Sequence, residues 1–245
     1  MKTFYWGVHR DRGNGKLIYN FGDILTAEIL KHYGIKYKHT TNHRKATHFG
    51  IGSIVRLARN STVLGSGIIR ANEKLDFRNK YRFVRGPLTR KRVLQCGGTC
   101  PEIYGDPALL LPRFYPPVAK KHKIGFVPHY SHGIDRIKEL AVQNNWHFIN
   151  LNNINPLIPA QEISSCEKII STSLHGIIAA HAYDIPAAHV TVSDTCDLLG
   201  DGSKFKDYYA SVGLEHKLND VGNPDYLVGK LPDLDIIEGI FKEYV

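Results

Sequence analysis

Short runs of β-forming residues alternate with helical stretches along nearly the whole chain. Residues 3–6, 46–51 and 82–84 suit strands, whereas Leu25, Ile29 and Tyr33 recur four residues apart, as in a helix. A second helix is predicted at residues 87–95, which begin with a proline and are followed by two glycines. This alternation is the pattern of βαβ units, in which helices connect parallel strands. The sequence therefore predicts an α/β fold with mostly parallel sheets.

A proline-rich, basic segment divides this alternation into two series. Residues 112–123 read PRFYPPVAKKHK, which neither a helix nor a central strand tolerates. A chain of 245 residues is long enough for two domains. We predict one Rossmann-like lobe at residues 1–115 and a second at residues 116–245, which ends in a helix at residues 234–244. Two such lobes bind ligands in the crevice that faces the carboxyl ends of their strands.

Composition restricts the class of protein. No apolar run approaches the ~20 residues of a membrane span, and the N-terminus lacks the apolar segment of a signal peptide, so we expect a cytoplasmic protein. Four irregularly spaced cysteines predict free thiols and no structural metal. A formal charge of +9 favours an acidic partner, which composition alone leaves open between a small anion, a membrane surface and nucleic acid.

Two turns at which a strand runs into a helix carry the strongest candidates. His175 lies in the sequence STSLHG at residues 171–176, where the amides of a helix start attract anions and a histidine can exchange protons with them. Arg85 lies in VRGPLT at residues 84–89, and a guanidinium binds carboxylate or phosphate in a bidentate manner. We predict that both side chains project into the crevice. The alternatives are a capping or core histidine and a surface ion pair.

Further polar candidates in the first half follow other predicted strands. Asn20 and Asp23 are placed to bond sugar hydroxyls, or else only to cap the first helix. The sequence GSG at residues 65–67 is expected to expose backbone amides, although turn chemistry alone would explain its glycines. Asp106 follows a predicted strand at residues 102–104 and either contacts a ligand or closes a turn.

The second half offers further cations at the crevice. His129 follows the first strand of the second lobe, and Lys204 and Lys206 precede a helix. Each is a candidate contact for an anionic ligand, and the two lysines could instead belong to a solvated basic loop.

Four motifs, in this order and at this spacing, resemble the polysaccharide pyruvyl transferase family: VRGPLT at residues 84–89, YGDPA at 104–108, STSLHG at 171–176 and KFKDYY at 204–209. The resemblance extends from the NFGD turn at residues 20–23 to about residue 213. It implies two lobes with a fold like that of the two-lobed, GT-B-type glycosyltransferases. It also implies transfer of an enolpyruvyl unit from phosphoenolpyruvate to a sugar as a ketal, with no cofactor beyond the donor.

The resemblance maps the family's catalytic histidine onto His175 and its donor-gripping arginine onto Arg85. Many members carry an arginine two residues before that histidine, where this chain has Ser173, so a second cation must come from elsewhere. On the donor side, the second lobe with the arginine motif, we expect Arg85, Gly86, His129, Ser173, Leu174, His175, Gly176, Lys204 and Lys206. On the acceptor side, the first lobe, we expect Asn20, Gly22, Asp23, Gly65, Ser66, Gly67 and Asp106.

The implied chemistry suits these residue types. His175, as imidazolium, would protonate the methylene carbon of the donor, and two hydroxyls of one sugar would then form a cyclic ketal and release phosphate, without a metal. The expected partners are phosphoenolpyruvate and a sugar of a bacterial-type surface polysaccharide or its lipid-linked precursor, met at the inner membrane face; nucleic acid is not expected.

Two other functions remain as alternatives at this point. A nucleotide-sugar glycosyltransferase would use the same crevice. A non-catalytic binder of nucleic acid or acidic glycan would need basic and aromatic residues clustered on one face, and the sequence shows no such module.

Overall fold

The structure is a computed structural model that describes residues 1–10, 15, 17–132, 134–192 and 198–244. In the first half the strands are Lys2–Phe4 (β1), Val8–Arg10 (β2), Leu17–Tyr19 (β3), Lys38–His39 (β4), His48–Phe49 (β5), Thr62–Leu64 (β6) and Lys80–Phe83 (β7). The helices of this half are Phe21–His32 (α1), Pro87–Gln95 (α2) and Leu111–Phe114 (α3). Short 3₁₀ turns occupy His43–Lys45, Val55–Leu57 and Pro107–Leu110.

In the second half the strands are His122–Val127 (β8), His147–Phe148 (β9), Cys166–Ser171 (β10), Ala187–Thr191 (β11) and Leu218–Asp220 (β12). The helices are Ile134–Gln143 (α4), Leu157–Ser164 (α5), Leu174–Ala182 (α6), Ser203–Ser211 (α7) and Leu234–Lys242 (α8). Among the described residues, no helix has the length and apolar character that a bilayer span requires.

Two parallel sheets of five strands form the framework. The first has the order β4-β1-β5-β6-β7 and the second β12-β11-β10-β8-β9, and β2 and β3 pair separately as an antiparallel hairpin. The predicted α/β fold with parallel sheets is therefore confirmed, and the two sheets are consistent with two Rossmann-like lobes. The helix predicted at residues 87–95 is α2, with Pro87 in its first turn and Gly97 beyond its end at a φ of 82°. The strand predicted at residues 102–104 is reduced to one bridge between Val84 and Tyr104.

One apolar core extends through both lobes. It contains Leu25 and Phe83 from the first lobe and Leu174 and Ile178 from the second. The buried turn Pro107–Leu110 joins them, because it contacts both α1 and α6. The lobes therefore bury apolar surface against each other.

The terminal helix α8 packs against the first lobe. Its Phe241 lies edge-on to Phe83 of β7, with ring centroids 6.1 Å apart. Glu243, just beyond the helix, accepts a hydrogen bond from Arg82 at 2.6 Å. Ile237 and Ile240, on the same helix face, are buried in the shared core. The end of the chain thus returns to the first lobe.

Candidate active site

His175 lies in the first turn of α6, directly after strand β10. Ser173 is the N-cap residue, and its backbone N–H donates to Ser171 Oγ at 2.9 Å, which fixes the turn between strand and helix. A Cβ built on Gly176 would overlap Ser171 Oγ, so only glycine allows α6 to approach the strand this closely. Ser173 and Leu174 are buried, whereas the His175 side chain retains 15% of its exposure. The predicted placement of His175 at a strand-to-helix turn is confirmed.

Gly22, in the first turn of α1, packs directly against the His175 ring. A Cβ built on Gly22 would overlap three atoms of the imidazole, Nδ1 among them. Glycine is required here because the two lobes meet at this contact. The sequence NFGD therefore contributes a close approach at Gly22 as well as the polar side chains of Asn20 and Asp23.

Asp106 faces His175 from the first lobe. Its Oδ1 accepts a hydrogen bond from Ala108 N at 3.0 Å, and its Oδ2 lies 3.9 Å from His175 Nε2. Both Oδ2 and Nε2 are buried, and neither has a hydrogen-bond partner. Burial raises the pKa of Asp106 to about 6, against the partial opposition of Ala108 N–H and the Arg85 charge.

Asp23 is a second buried carboxyl beside Asp106. Burial raises its pKa to about 7, and the nearby Asp106 contributes in the same direction, while a hydrogen bond from Asn20 opposes the rise. Asn20 is at the N-cap position of α1 but makes no capping bond with its side chain. The alternative that Asn20 only caps the helix is therefore excluded, and the three polar side chains form a cluster on the first lobe.

The guanidinium of Arg85 is the main correction to the predicted site. Arg85 is fully buried, and all three of its nitrogens donate to the protein: Nε to Asp207 Oδ2 at 3.2 Å, Nη1 to Ser53 Oγ at 2.7 Å and Nη2 to Ile68 O at 2.6 Å. The predicted projection of this side chain into the crevice is wrong, because these partners hold it inside. The surface ion pair that we weighed against it is equally wrong.

Asp207 connects the two lobes at this point. Its carboxylate also accepts hydrogen bonds from Thr89 N at 2.8 Å and from Thr89 Oγ1 at 2.6 Å, at the start of α2. A Cβ built on Gly86 would overlap the backbone oxygen of Asp207, so Gly86 serves the approach of α7 to α2. The motifs VRGPLT and KFKDYY, which stand about half the chain apart, therefore fold against each other.

Two positive charges act on His175: the buried guanidinium of Arg85 and the ammonium group of Lys204 in α7. Burial lowers the pKa of His175 to about 3, and the charges of Arg85 and then Lys204 act in the same direction. Lys204 is itself largely buried, and this burial together with Arg85 lowers its pKa to about 8. His129, whose pKa is lowered to about 3 by burial and then by Lys204, lies in the same group. Lys206, by contrast, is exposed.

The predicted exposure of the backbone amides is wrong for Gly65 and Gly67. Gly65 N donates to Phe83 O at 3.0 Å and Gly67 N donates to Gly52 O at 3.1 Å, so neither amide is available to a ligand. Ser66 is fully buried, and its hydroxyl donates to Gly52 O at 2.8 Å. These residues pack inside the first lobe, where Gly67 contacts the Arg85 guanidinium.

Comparison with known families bears on this arrangement. A model of the polysaccharide pyruvyl transferase family matches residues 20–194, which include Gly22, Arg85, Asp106 and His175. The chain belongs to this family. The cluster of Asp23, Asp106 and His175 is therefore the candidate active site of a polysaccharide pyruvyl transferase family member.

Two relatives of this family member are similar over most of the chain. An uncharacterised protein of Acanthamoeba polyphaga mimivirus is 31% identical over 185 residues, which are 72% of this chain and 63% of the relative. The succinoglycan biosynthesis protein ExoV of Rhizobium meliloti (strain 1021) is 27% identical over 241 residues, which are 89% of this chain and 66% of that protein. The chain thus spans slightly less than two thirds of the length of each relative. No solved structure matches it.

Sequence reasoning missed two residues that organise the site of this family member. Asp207 lies inside the motif KFKDYY, where Lys204 and Lys206 were the candidates because they are cations that suit an anionic ligand. Ser53 follows the glycines of GIGS at residues 50–53, directly after β5, which is the same strand-end signal that identified other candidates. Both residues accept hydrogen bonds from Arg85, because a buried guanidinium needs partners to compensate its charge.

Buried histidines predict how the stability of this family member changes with pH. Burial lowers the pKa of His48 and His181 to about 4 and that of His129, His175 and His189 to about 3. Between pH 4 and their ordinary pKa of about 6.5, the unfolded chain binds protons that the folded chain does not, so stability falls on acidification. Asp23 and Asp106 act in the opposite direction, because their raised pKa values favour the folded state at low pH.

The histidines outnumber these carboxyls, so we expect a lower urea midpoint at pH 5 than at pH 7. The difference should shrink in His48→Gln, which removes one such histidine away from the candidate site. Equal midpoints at the two pH values would contradict the expectation.

Proposed function

We propose that this protein transfers an enolpyruvyl unit from phosphoenolpyruvate to two hydroxyls of a sugar in a surface polysaccharide or its lipid-linked precursor, with release of phosphate. The observation that carries the proposal is His175, held at a helix start between the lobes with its Nε2 buried and unpaired. Membership of the polysaccharide pyruvyl transferase family supports it. The relative ExoV, named for succinoglycan biosynthesis, supports a polysaccharide acceptor.

The donor is proposed to lie at the start of α6. Phosphoenolpyruvate carries a carboxylate and a phosphate, and the first-turn amides of a helix favour such anions. Lys204 is the cation proposed to touch the donor, in place of the arginine that many family members carry at the position of Ser173. Arg85 is a fixed, buried positive charge, which lowers the pKa of both His175 and Lys204.

The proposed chemistry needs one proton donor and two proton acceptors. The His175 imidazolium gives its proton to the methylene carbon of the donor, which leaves an oxocarbenium-like centre at the adjacent carbon. The first sugar hydroxyl bonds to that carbon and loses its proton to a carboxylate, for which Asp23 is placed. Phosphate then leaves with the electron pair of its C–O bond and takes the proton that Asp23 received, so that hydrogen phosphate is released and the carboxylate is restored. The second hydroxyl bonds to the same carbon, and its proton returns to His175; no metal takes part in these steps.

The acceptor is proposed to lie against the first lobe, where Asn20 and Asp23 offer an amide and a carboxyl for hydroxyl groups. This places donor and acceptor on opposite lobes, as in a GT-B-type arrangement. The charge of +9 supports work at an acidic inner membrane face, where lipid-linked sugars are presented.

Donor binding should be accompanied by proton uptake at His175. The pKa of about 3 keeps the imidazole neutral at pH 7, so an acid role requires the donor's negative charge to raise that pKa. We expect calorimetric titration with phosphoenolpyruvate at pH 7, in two buffers of different ionisation enthalpy, to show more proton uptake by the wild type than by His175→Gln. Affinity should weaken as pH rises from the free-state pKa toward the bound-state pKa of His175, and should level off above the latter. Identical proton uptake by the two proteins would contradict the imidazolium role.

Gly22→Ala should disable the site without unfolding the protein. The added methyl group must displace the His175 ring, and a displacement of ~1 Å can cost ~10²-fold in rate. Gly239→Ala is the matched control, because a Cβ at Gly239 in α8 meets no atom within 4 Å. We expect the control to keep full activity and Gly22→Ala to lose most of it, measured as phosphate release. Full activity in Gly22→Ala would show that the ring position is not critical.

The test of the proposed function is acceptor-dependent phosphate release. The protein is incubated with phosphoenolpyruvate and a panel of galactose, mannose, glucose and N-acetylated acceptors, free and lipid-linked, and the product is identified by mass spectrometry. Release that requires an acceptor, together with a ketal product, would establish the proposal. If no acceptor reacts, calorimetry with phosphoenolpyruvate and with uridine and guanosine nucleotides decides between a wrong acceptor and a nucleotide-sugar transferase.

A further inference from the structure

Two buried polar atoms face each other across the lobes without a partner. Asp106 Oδ2 and His175 Nε2 are 3.9 Å apart, and neither has a hydrogen-bond partner. Buried polar groups are almost always bonded, because water that they lose must be replaced. A pair of such atoms at this separation, one an acceptor and the other able to donate, therefore requires an explanation.

The Asp106 carboxyl is fixed in position. It is the N-cap of the turn Pro107–Leu110, and Oδ1 is committed to Ala108 N, so Oδ2 cannot rotate away without breaking the cap. The turn in its place packs against α6, which carries His175. The gap exceeds hydrogen-bond length by ~1 Å. Catalytic hydrogen bonds are often long in the free protein and shorten when substrate binds.

The two nitrogens of the His175 ring are not equivalent. Nε2 is buried, so the 15% of the side chain that remains exposed lies on its other atoms. Gly22 lies at the Nδ1 edge, where it contributes no side chain. The Nδ1 edge therefore packs against the backbone of the first lobe, whereas Nε2 faces Asp106.

We propose that Asp106 is the positioning residue of His175: Oδ2 holds the proton of the neutral ring on Nε2, so that Nδ1 is unprotonated in the free protein, and Oδ2 accepts a hydrogen bond from Nε2–H when the donor binds. In the ligand-bound state the same carboxylate balances the imidazolium. Its raised pKa is consistent with a carboxyl that is ready to exchange a proton with the ring. The kinetic part of this inference rests on the proposed function, whereas the tautomer part does not.

Other charged groups surround this pair and must be considered in any pH profile. Asp23 of α1 and Tyr208 of α7 lie close enough to Asp106 to affect its charge or be affected by it. Arg85 and Lys204 lower the pKa of His175, and Asp207 raises that of Asp106. His129 is close enough to Lys204, His132 and His175 for their charges to add to the effect of burial in lowering its pKa. A substitution at Asp106 leaves these side chains in the protein, but removal of the Asp106 charge lowers the pKa of Asp23 and of Tyr208.

The test is Asp106→Asn, read out by nitrogen NMR of the histidine rings in the free protein. Asparagine keeps the Oδ1 acceptor for Ala108 N but turns an NH₂ group toward Nε2, which reverses the favoured tautomer. We expect Nε2–H in the wild type and Nδ1–H in the variant. Asp76→Asn is the matched control, because Asp76 is another buried carboxyl, bonded to Arg78 on the other side of the first lobe.

Kinetics provide the second readout. In Asp106→Asn we expect kcat for phosphate release to fall ~10²–10⁴-fold, with a changed pH profile and a nearly unchanged KM for phosphoenolpyruvate. Nδ1–H in the wild type, or the same tautomer in both proteins, would overturn the inference even if the variant folds poorly. A reversed tautomer in a protein that releases no phosphate would uphold the positioning role and reject the proposed function instead.

Discussion

Replacing His175 with glutamine is expected to lower kcat for acceptor-dependent phosphate release by ~10²–10⁴-fold, the contribution typical of a general acid. Glutamine fills similar space and can still bond Asp106, but it cannot carry the proton that the donor carbon requires. The loss should appear in kcat, because the proposed donor contacts, Lys204 and the amides at the start of α6, are unchanged. Initial rates over a range of phosphoenolpyruvate concentrations separate the effect on kcat from the effect on KM.

His48→Gln is the control for this experiment. His48 is also a partly buried histidine with a lowered pKa, but it lies on β5 and contacts Thr47 and Tyr244. Its replacement should leave the rate within about twofold, as expected for a substitution that leaves transition-state interactions intact. A His175→Gln protein that retains the wild-type rate would remove the histidine from the mechanism and leave the acid to be found among Asp23, Asp106 and Lys204.

Replacing Asp207 with alanine is expected to lower the free energy of unfolding by ~3–5 kcal/mol, because it leaves the buried charge of Arg85 without its partner. The pair is inaccessible, with exposures of 1% for the Arg85 side chain and 0% for Asp207. The substitution also removes both acceptors of Thr89. Urea unfolding, followed by tryptophan fluorescence and circular dichroism, measures the loss.

Asp225→Ala is the matched control, since it breaks the exposed pair with Lys217, where side-chain exposures are 60% and 49%. An exposed pair contributes only about 0–1 kcal/mol. Combining Asp207→Leu with Arg85→Met should regain a large part of the lost stability, because no charge is then left buried. Equal losses in Asp207→Ala and Asp225→Ala would show that water or another group compensates Arg85.

Local signals in the sequence were sufficient for the fold and for part of the site. Period and capping predicted α2 correctly, because Pro87 and Gly97 act on the backbone without help from distant residues. The turn before α6 was found for the same reason: a buried strand, a polar break and small residues follow one another within STSLHG. A segment of about ten residues was therefore enough to predict that His175 lies at a strand-to-helix turn.

What the sequence did not indicate depends on partners far away in the chain. Arg85 follows a strand, as a ligand-binding arginine would, but Asp207 lies 122 residues later and holds it inside. The amides of Gly65 and Gly67 were expected to be free because their acceptors, Phe83 O and Gly52 O, are supplied by neighbouring segments of the sheet. Such pairings are decided by tertiary packing, which no local pattern contains.

The chain returns to the first lobe through α7 and α8, and this path determines where chimeras with relatives can be joined. Arg85 and Phe83 belong to residues 1–115, but their partners Asp207 and Phe241 are contributed by α7 and α8. A chimera cut at the proline-rich connection would separate these partners. To transplant the first lobe into another family member, residues 1–115 should be moved together with α7 and α8, so the useful crossover points lie on either side of those helices.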